Sequence, residues 1–171
     1  MKKGQIWVET VLYTLIGLML IALVLGFMTP KIKETRDNLL IGQSIDTLNL
    51  IDSKINEVIS QGEGNTRNVD FTMKKGELII NAKDNKIIFK IIGLSKPYSE
   101  PGINIPYGRV IMFSEEGAKT SSITLTLDYK NTDIVYNKND EEKAFSSAPI
   151  PYKFSIRNEE NKINIIEISR G

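Results

Sequence analysis

The sequence predicts an α+β fold: a long N-terminal helix, membrane-spanning in its first half and amphipathic in its second, packed on a C-terminal antiparallel β-sheet head. Three observations predict it. From Thr10 to Pro30 no residue carries a charge. Ile41, Ile45, Leu48, Ile51, Ile55, Val58 and Ile59 then recur at three- and four-residue spacing, the signature of one apolar helical stripe. Farther on, Ile123, Leu125, Leu127 and Tyr129 alternate with Thr124, Thr126 and Asp128, which is the period of a half-buried antiparallel strand.

The 171 residues carry 22 basic and 21 acidic side chains, so no bulk charge attracts nucleic acid. Cysteine and histidine are absent, which removes disulfides, thiolate chemistry, Cys/His zinc sites and histidine acid–base catalysis.

Val11 to Met28 is almost wholly apolar, with Thr14 its one strongly polar side chain. At ~1.5 Å per residue such a helix just crosses a hydrocarbon core of about 30 Å. The run is longer than the h-region of a secretory signal, and it ends in Phe27-Met28-Thr29-Pro30-Lys31 without a small-x-small cleavage site. A plain membrane anchor fits it. Lysines flank both ends (Lys2 and Lys3, then Lys31 and Lys33 with Arg36), so charge does not orient it. Ala22 and Gly26 form a small-xxx-small pair that lets helices approach closely. Glu9 stands at the edge of the run, where an ionised carboxylate in hydrocarbon needs either a partner or a path to water.

Lys2-Lys3-Gly4-Gln5, with Glu9 four positions on, resembles the class III signal peptide of archaeal type IV pilin-like proteins, including archaellins. Trp7 stands where members of that family commonly carry serine. The resemblance implies a leader of residues 1–4 cut between Gly4 and Gln5, with the apolar helix kept on the mature chain. It implies that Glu9 pairs with the new amine of Gln5 on its own or a neighbouring subunit, selecting register more than adding stability. It also implies a prepilin peptidase, an assembly ATPase with its platform protein, and copies of itself or sister pilins as partners.

The domain reading follows: leader 1–4, membrane or filament-core helix 5–30, amphipathic helix 31–61 and a β-rich extracytoplasmic head over 65–171. Pro30 removes one helical hydrogen bond, and Gly62 and Gly64 supply a stop. Strands are expected from Val69, Glu77, Lys86 and Arg109, then over ITLTLDY, with DIVYN from Asp133 paired to it. The proline-bearing segment 97–106 and residues 138–143 read as loops, Glu115-Glu116-Gly117 as a turn, and YKFSIR with KINIIEIS as a closing hairpin.

No catalytic set converges. Glu115-Glu116 and Asp140-Glu141-Glu142 read as solvated acids, and the latter lacks calcium-loop spacing. Ser53-Lys54 and Ser95-Lys96 lack any oxyanion motif. Tyr98, Tyr107, Tyr129, Tyr136 and Tyr152 read as core or rim packing. The expectation is a non-enzymatic filament subunit without a cofactor. The rival is a single-pass anchored protein with an extracytoplasmic β-rich binding domain.

Overall fold

The computed structural model describes residues 2–160 and 162–168, with side chains from Trp7 onward. The chain divides into two compact units, Met1–Arg36 and Asp37–Gly171. One helix, α1 (Lys2–Gln61), supplies all the described residues of the first and opens the second; its helical assignment passes through Pro30.

In the first unit the large apolar side chains from Trp7 to Met28 are all exposed. Thr14 Oγ1 donates to the Thr10 carbonyl at 2.8 Å, and Thr29 Oγ1 to that of Leu25 at 2.7 Å. These hydroxyls are therefore satisfied within the helix and leave its surface apolar.

In the second unit α1 behaves as the 3.6 period requires. Ile41, Ile45, Leu48, Ile51, Ile55 and Val58 are buried. Ile59, expected on the same stripe, is 40% exposed. Val58 already fills that turn, and the next residue points about 100° away around the axis. The helix stops as predicted at Gly62, whose φ of 87° suits glycine and whose N–H bonds the Ile59 carbonyl at 3.2 Å. Asn65 Nδ2 then donates to the Gln61 carbonyl at 2.7 Å.

Among the described residues, ten strands follow in two sheets. The four-stranded sheet runs β1 (Thr66–Phe71), β9 (Tyr152–Glu159), β10 (Lys162–Glu167), β7 (Asp133–Tyr136). The six-stranded sheet runs β4 (Asn104–Tyr107), β5 (Val110–Glu116), β6 (Ser121–Asp128), β3 (Lys86–Leu94), β2 (Glu77–Asn81), β8 (Glu142–Ser146). Their apolar faces share one core with the stripe of α1, including Val69, Ile156 and Ile163 from the smaller sheet and Leu78, Phe89, Ile123 and Leu125 from the larger. Phe145 on β8 packs on Phe154 of β9 at 5.0 Å and on Tyr136 of β7 at 5.5 Å, joining the two sheets through aromatic edges.

Four expectations change. β7 pairs in parallel with β10 rather than with β6, because both edges of β6 are already taken by β3 and β5. The proline-bearing segment contains β4, which sits at a sheet edge where Pro106 is tolerated. The segment 138–143 yields its last two residues to β8, a short charged strand on the opposite edge. Glu115 and Glu116 extend β5, and the turn lies beyond them, closed by Gly117 N–H on the Thr120 carbonyl at 3.1 Å.

Two substitutions test this packing. Leu125 is fully buried on β6 while Thr124 faces the half-covered side. Leu125→Ala should cost about 2–5 kcal/mol in denaturant unfolding and Thr124→Ala far less; equal costs would reverse the assigned face. At Gly76 φ is 97°, and an added Cβ would lie 2.7 Å from the Lys90 carbonyl oxygen and 2.8 Å from Phe89 Cε1. Gly76→Ala should therefore destabilise the head through both strain and collision. An unchanged unfolding midpoint would contradict the tight approach of that turn to β3.

Candidate functional site

Two features stand out, one in each unit. The first is the uncovered apolar helix surface. Glu9 lies exposed on it, thirteen positions before Ala22. Ala22 and Gly26 fall one turn apart on a common face, and a Cβ built on Gly26 would meet nothing within 4 Å. The side chains of Gly4 and Gln5, the expected cleavage pair, lie outside the described residues.

The second feature is a polar seam within the head, where α1 meets the end of β6. Asp52 is buried one step off the apolar stripe. Its Oδ1 accepts from the Tyr129 hydroxyl at 2.8 Å and its Oδ2 from Asn56 Nδ2 at 3.1 Å. The Arg109 guanidinium stands 3.7 Å from Oδ1 and lies 5.6 Å from the Tyr129 ring centre. A carboxylate so buried needs this company, since an unpaired charge there costs several kcal/mol. Burial, followed by the negative charge of Asp52 and its hydrogen bond, raises the Tyr129 phenol well above its ordinary value of 10.0. The phenol therefore stays protonated as the donor.

Asn85 braces the same corner. Its φ of 53° places it in a tight β2–β3 turn. Its carbonyl accepts from Tyr129 N–H at 2.9 Å, and its Oδ1 accepts from Ile134 N–H at 2.9 Å. Outside the seam opens a cleft of about 490 Å³, lined in part by Ile59, Arg109, Ile111, Lys130 and Thr132. Arg109, with 57% of its side chain exposed, lines the cleft with its guanidinium near both Asp52 and the Tyr129 ring. Such an arrangement offers a cation and hydrogen-bonding groups to a polar molecule.

A second cleft, about 540 Å³, lies among Glu63, Lys138, Arg157, Glu159 and Lys162. Its charges are cross-paired: Arg157 with Glu159 at 3.4 Å and Lys138 with Glu159 at 3.9 Å.

Three members of the pairs weighed for catalysis have other partners. Ser95 donates both its N–H (2.7 Å) and its hydroxyl (2.6 Å) to Asp37 Oδ2, tying a loop to the helix. Lys54 pairs with Glu57 at 2.7 Å, and that hydrogen bond leads the causes that lower the exposed Glu57 carboxyl. Glu115 accepts from the Ser122 hydroxyl at 3.2 Å. Among the tyrosines, Tyr129 and Tyr152 are core, Tyr136 is partly buried, and Tyr98 and Tyr107 are exposed. Asp52, Asn56 and Arg109 escaped the sequence reading as a site. The available signal was Tyr129 itself, in phase with the buried face of β6 and carrying a hydroxyl that needs a partner.

Comparison with known proteins brings no relative: no protein-family model, curated protein or solved structure matches the chain.

The Tyr129–Asp52 bond makes a pH-dependent prediction. A phenol whose folded value is raised contributes stability in full below its unfolded value near 10.0, and loses it as pH rises beyond. Tyr129→Phe should cost about 1–3 kcal/mol at neutral pH, where Asp52 loses a donor. It should also flatten the alkaline decline of the unfolding midpoint. An equal alkaline slope in both proteins would show that Tyr129 does not carry it.

Proposed function

We propose that this protein is held in a membrane by one pass of its N-terminal helix and displays its β-rich head outside the cytoplasm as a binding module without catalysis of its own. One observation carries the reading. The apolar side chains of residues 7–28 are uncovered, while Asp37–Gly171 builds a complete core without them. A helix long and apolar enough to cross a bilayer, with none of its most apolar window buried, finds in lipid the cover the protein does not give it. The Arg109 cleft, which sets a cation beside Asp52 and the Tyr129 ring, is the head's surface for a polar partner.

A second reading is favoured by the motif Lys2-Lys3-Gly4-Gln5 with Glu9. In it the same helix is cut by a prepilin peptidase after Gly4. An assembly ATPase and its platform protein then move it from lipid into a type IV pilus-like surface filament, among copies of itself or sister pilins. Glu9 pairs with the Gln5 amine, and the Ala22–Gly26 face admits a neighbouring helix. The two readings share the anchor and differ in processing.

Membranes from the native host separate them. Alkaline carbonate should leave the protein in the membrane pellet, and protease added to intact cells should remove the head. Release by carbonate would sink both readings. N-terminal sequencing of the mature chain decides between them: a start at Gln5 supports the filament subunit, and a start at Met1 leaves the plain anchor. If Gln5 is first, Glu9→Gln should be processed normally yet enter sheared filaments poorly, since a buried amine without its partner costs about 3–5 kcal/mol. Normal incorporation would remove Glu9 from the mechanism.

A further inference from the structure

Half of the ten exposed large apolar side chains among the described residues of the head gather at one end of it. Ile92 (64% exposed), Tyr98, Ile103, Ile150 and Ile168 all lie in or beside loops at one end of it. Contacts within the head identify that end. Ser95 bonds Asp37, the first residue of the unit. Lys75 Nζ donates to the Gly93 carbonyl at 2.7 Å, which places the 72–76 loop beside the 92–103 loop. Ser147 N–H bonds the Gly76 carbonyl and Ala148 N–H that of Met73, both at 3.1 Å, which brings in the segment carrying Ile150. Ile168 N–H bonds the Lys153 carbonyl at 2.8 Å, next to Tyr152 at the start of β9. The far end, where β6 delivers Tyr129, keeps Ile59 and Ile111 in the Arg109 cleft and Tyr107 beside Gly108 on the β4–β5 turn.

Isoleucines and a tyrosine on surface loops, interspersed with Lys74, Lys96 and Lys119, are the side-chain chemistry of a membrane interface. There apolar groups enter the acyl boundary, tyrosine sits at headgroup level, and lysine stems lie along the surface with their amines in water. Glu100, Glu115 and Glu116 share this end, so the attraction rests on apolar burial more than on net charge. Chain length points to the same occupant. Met28 ends the apolar run, and Asp37 follows nine positions later, about 14 Å of chain at helical rise. A polar headgroup layer takes up roughly 5–7 Å of that.

We propose that the Asp37 end of the head is a second membrane contact, in which Ile92, Tyr98 and Ile150 seat on the bilayer that the helix crosses, leaving the Arg109 end to face outward. The proposal rests on the anchored reading above.

The chain has no cysteine, so single cysteines can carry an environment-sensitive fluorophore at chosen sites. The full chain, in nanodiscs with one copy each, is labelled at Tyr98→Cys, Ile150→Cys, Lys83→Cys or Leu20→Cys. Quenchers attached to lipid near the headgroup and along the acyl chain then report contact. Tyr98 and Ile150 should be blue-shifted and quenched by the shallow lipid quencher, Leu20 by the deep one, and Lys83 at the far end by neither. The pair Ile92→Glu and Ile150→Glu, both on exposed sites, should reduce quenching at Tyr98 to the Lys83 level. Quenching at Leu20 without quenching at Tyr98 and Ile150 would overturn the second contact and keep the anchor. No quenching at Leu20 would overturn the anchor and this proposal together. A blue shift at Tyr98 without lipid quenching would mean that protein covers the loop, and would also overturn it.

Discussion

Six side chains of one helix, Ile41, Ile45, Leu48, Ile51, Ile55 and Val58, supply apolar surface that both sheets of the head need. A sheet buries one face against something, and here each sheet shares that something with the other. The helix stripe and the inner faces of both sheets belong to one core cluster. The head therefore begins at Asp37 rather than at its first strand. The helix that carries the apolar N-terminal run is also part of the domain's core.

The polar contacts at the margins of this core select its arrangement. Asp52 sits among apolar neighbours at a cost that Tyr129, Asn56 and Arg109 offset. Sliding the helix by a turn along the sheet would carry Asn56 along with Asp52 but take the carboxylate away from Tyr129 and Arg109, so the seam penalises wrong registers. Glu57 with Arg67 at 3.1 Å and Asn158 Nδ2 on the Val58 carbonyl at 3.2 Å tie the same helix to the smaller sheet.

Two environments thus act on one continuous secondary structure. Residues 7–28 form a helix with no cover from this chain, and their hydroxyls are satisfied within the helix. Residues 41–58 form a helix covered on one stripe. The difference lies in composition: apolar all round in the first segment, apolar at every third or fourth position in the second.

Local pattern alone determined a large part of this protein. The helix, its stop at Gly62, the stripe from Ile41 to Val58, the buried alternation of β6 and the exposed apolar run all follow from spacings within one or two turns. At that range hydrophobic periodicity and backbone preference decide. Glu9 at the edge of the apolar run, and Ala22 and Gly26 within it, are conspicuous by the same local contrast, and their roles belong to the proposed function. Tertiary structure decided what depends on partners far away in sequence. The division into two sheets, the parallel pairing of β7 with β10, and the strands at Asn104–Tyr107 and Glu142–Ser146 depend on which edges other strands leave open. Asp52 meets Tyr129 across 77 positions, and within its own helix it reads as one more polar residue beside the stripe. No local spacing encodes that contact; it forms because packing two apolar faces brings a carboxylate and a phenol to the same buried corner, where each satisfies the other.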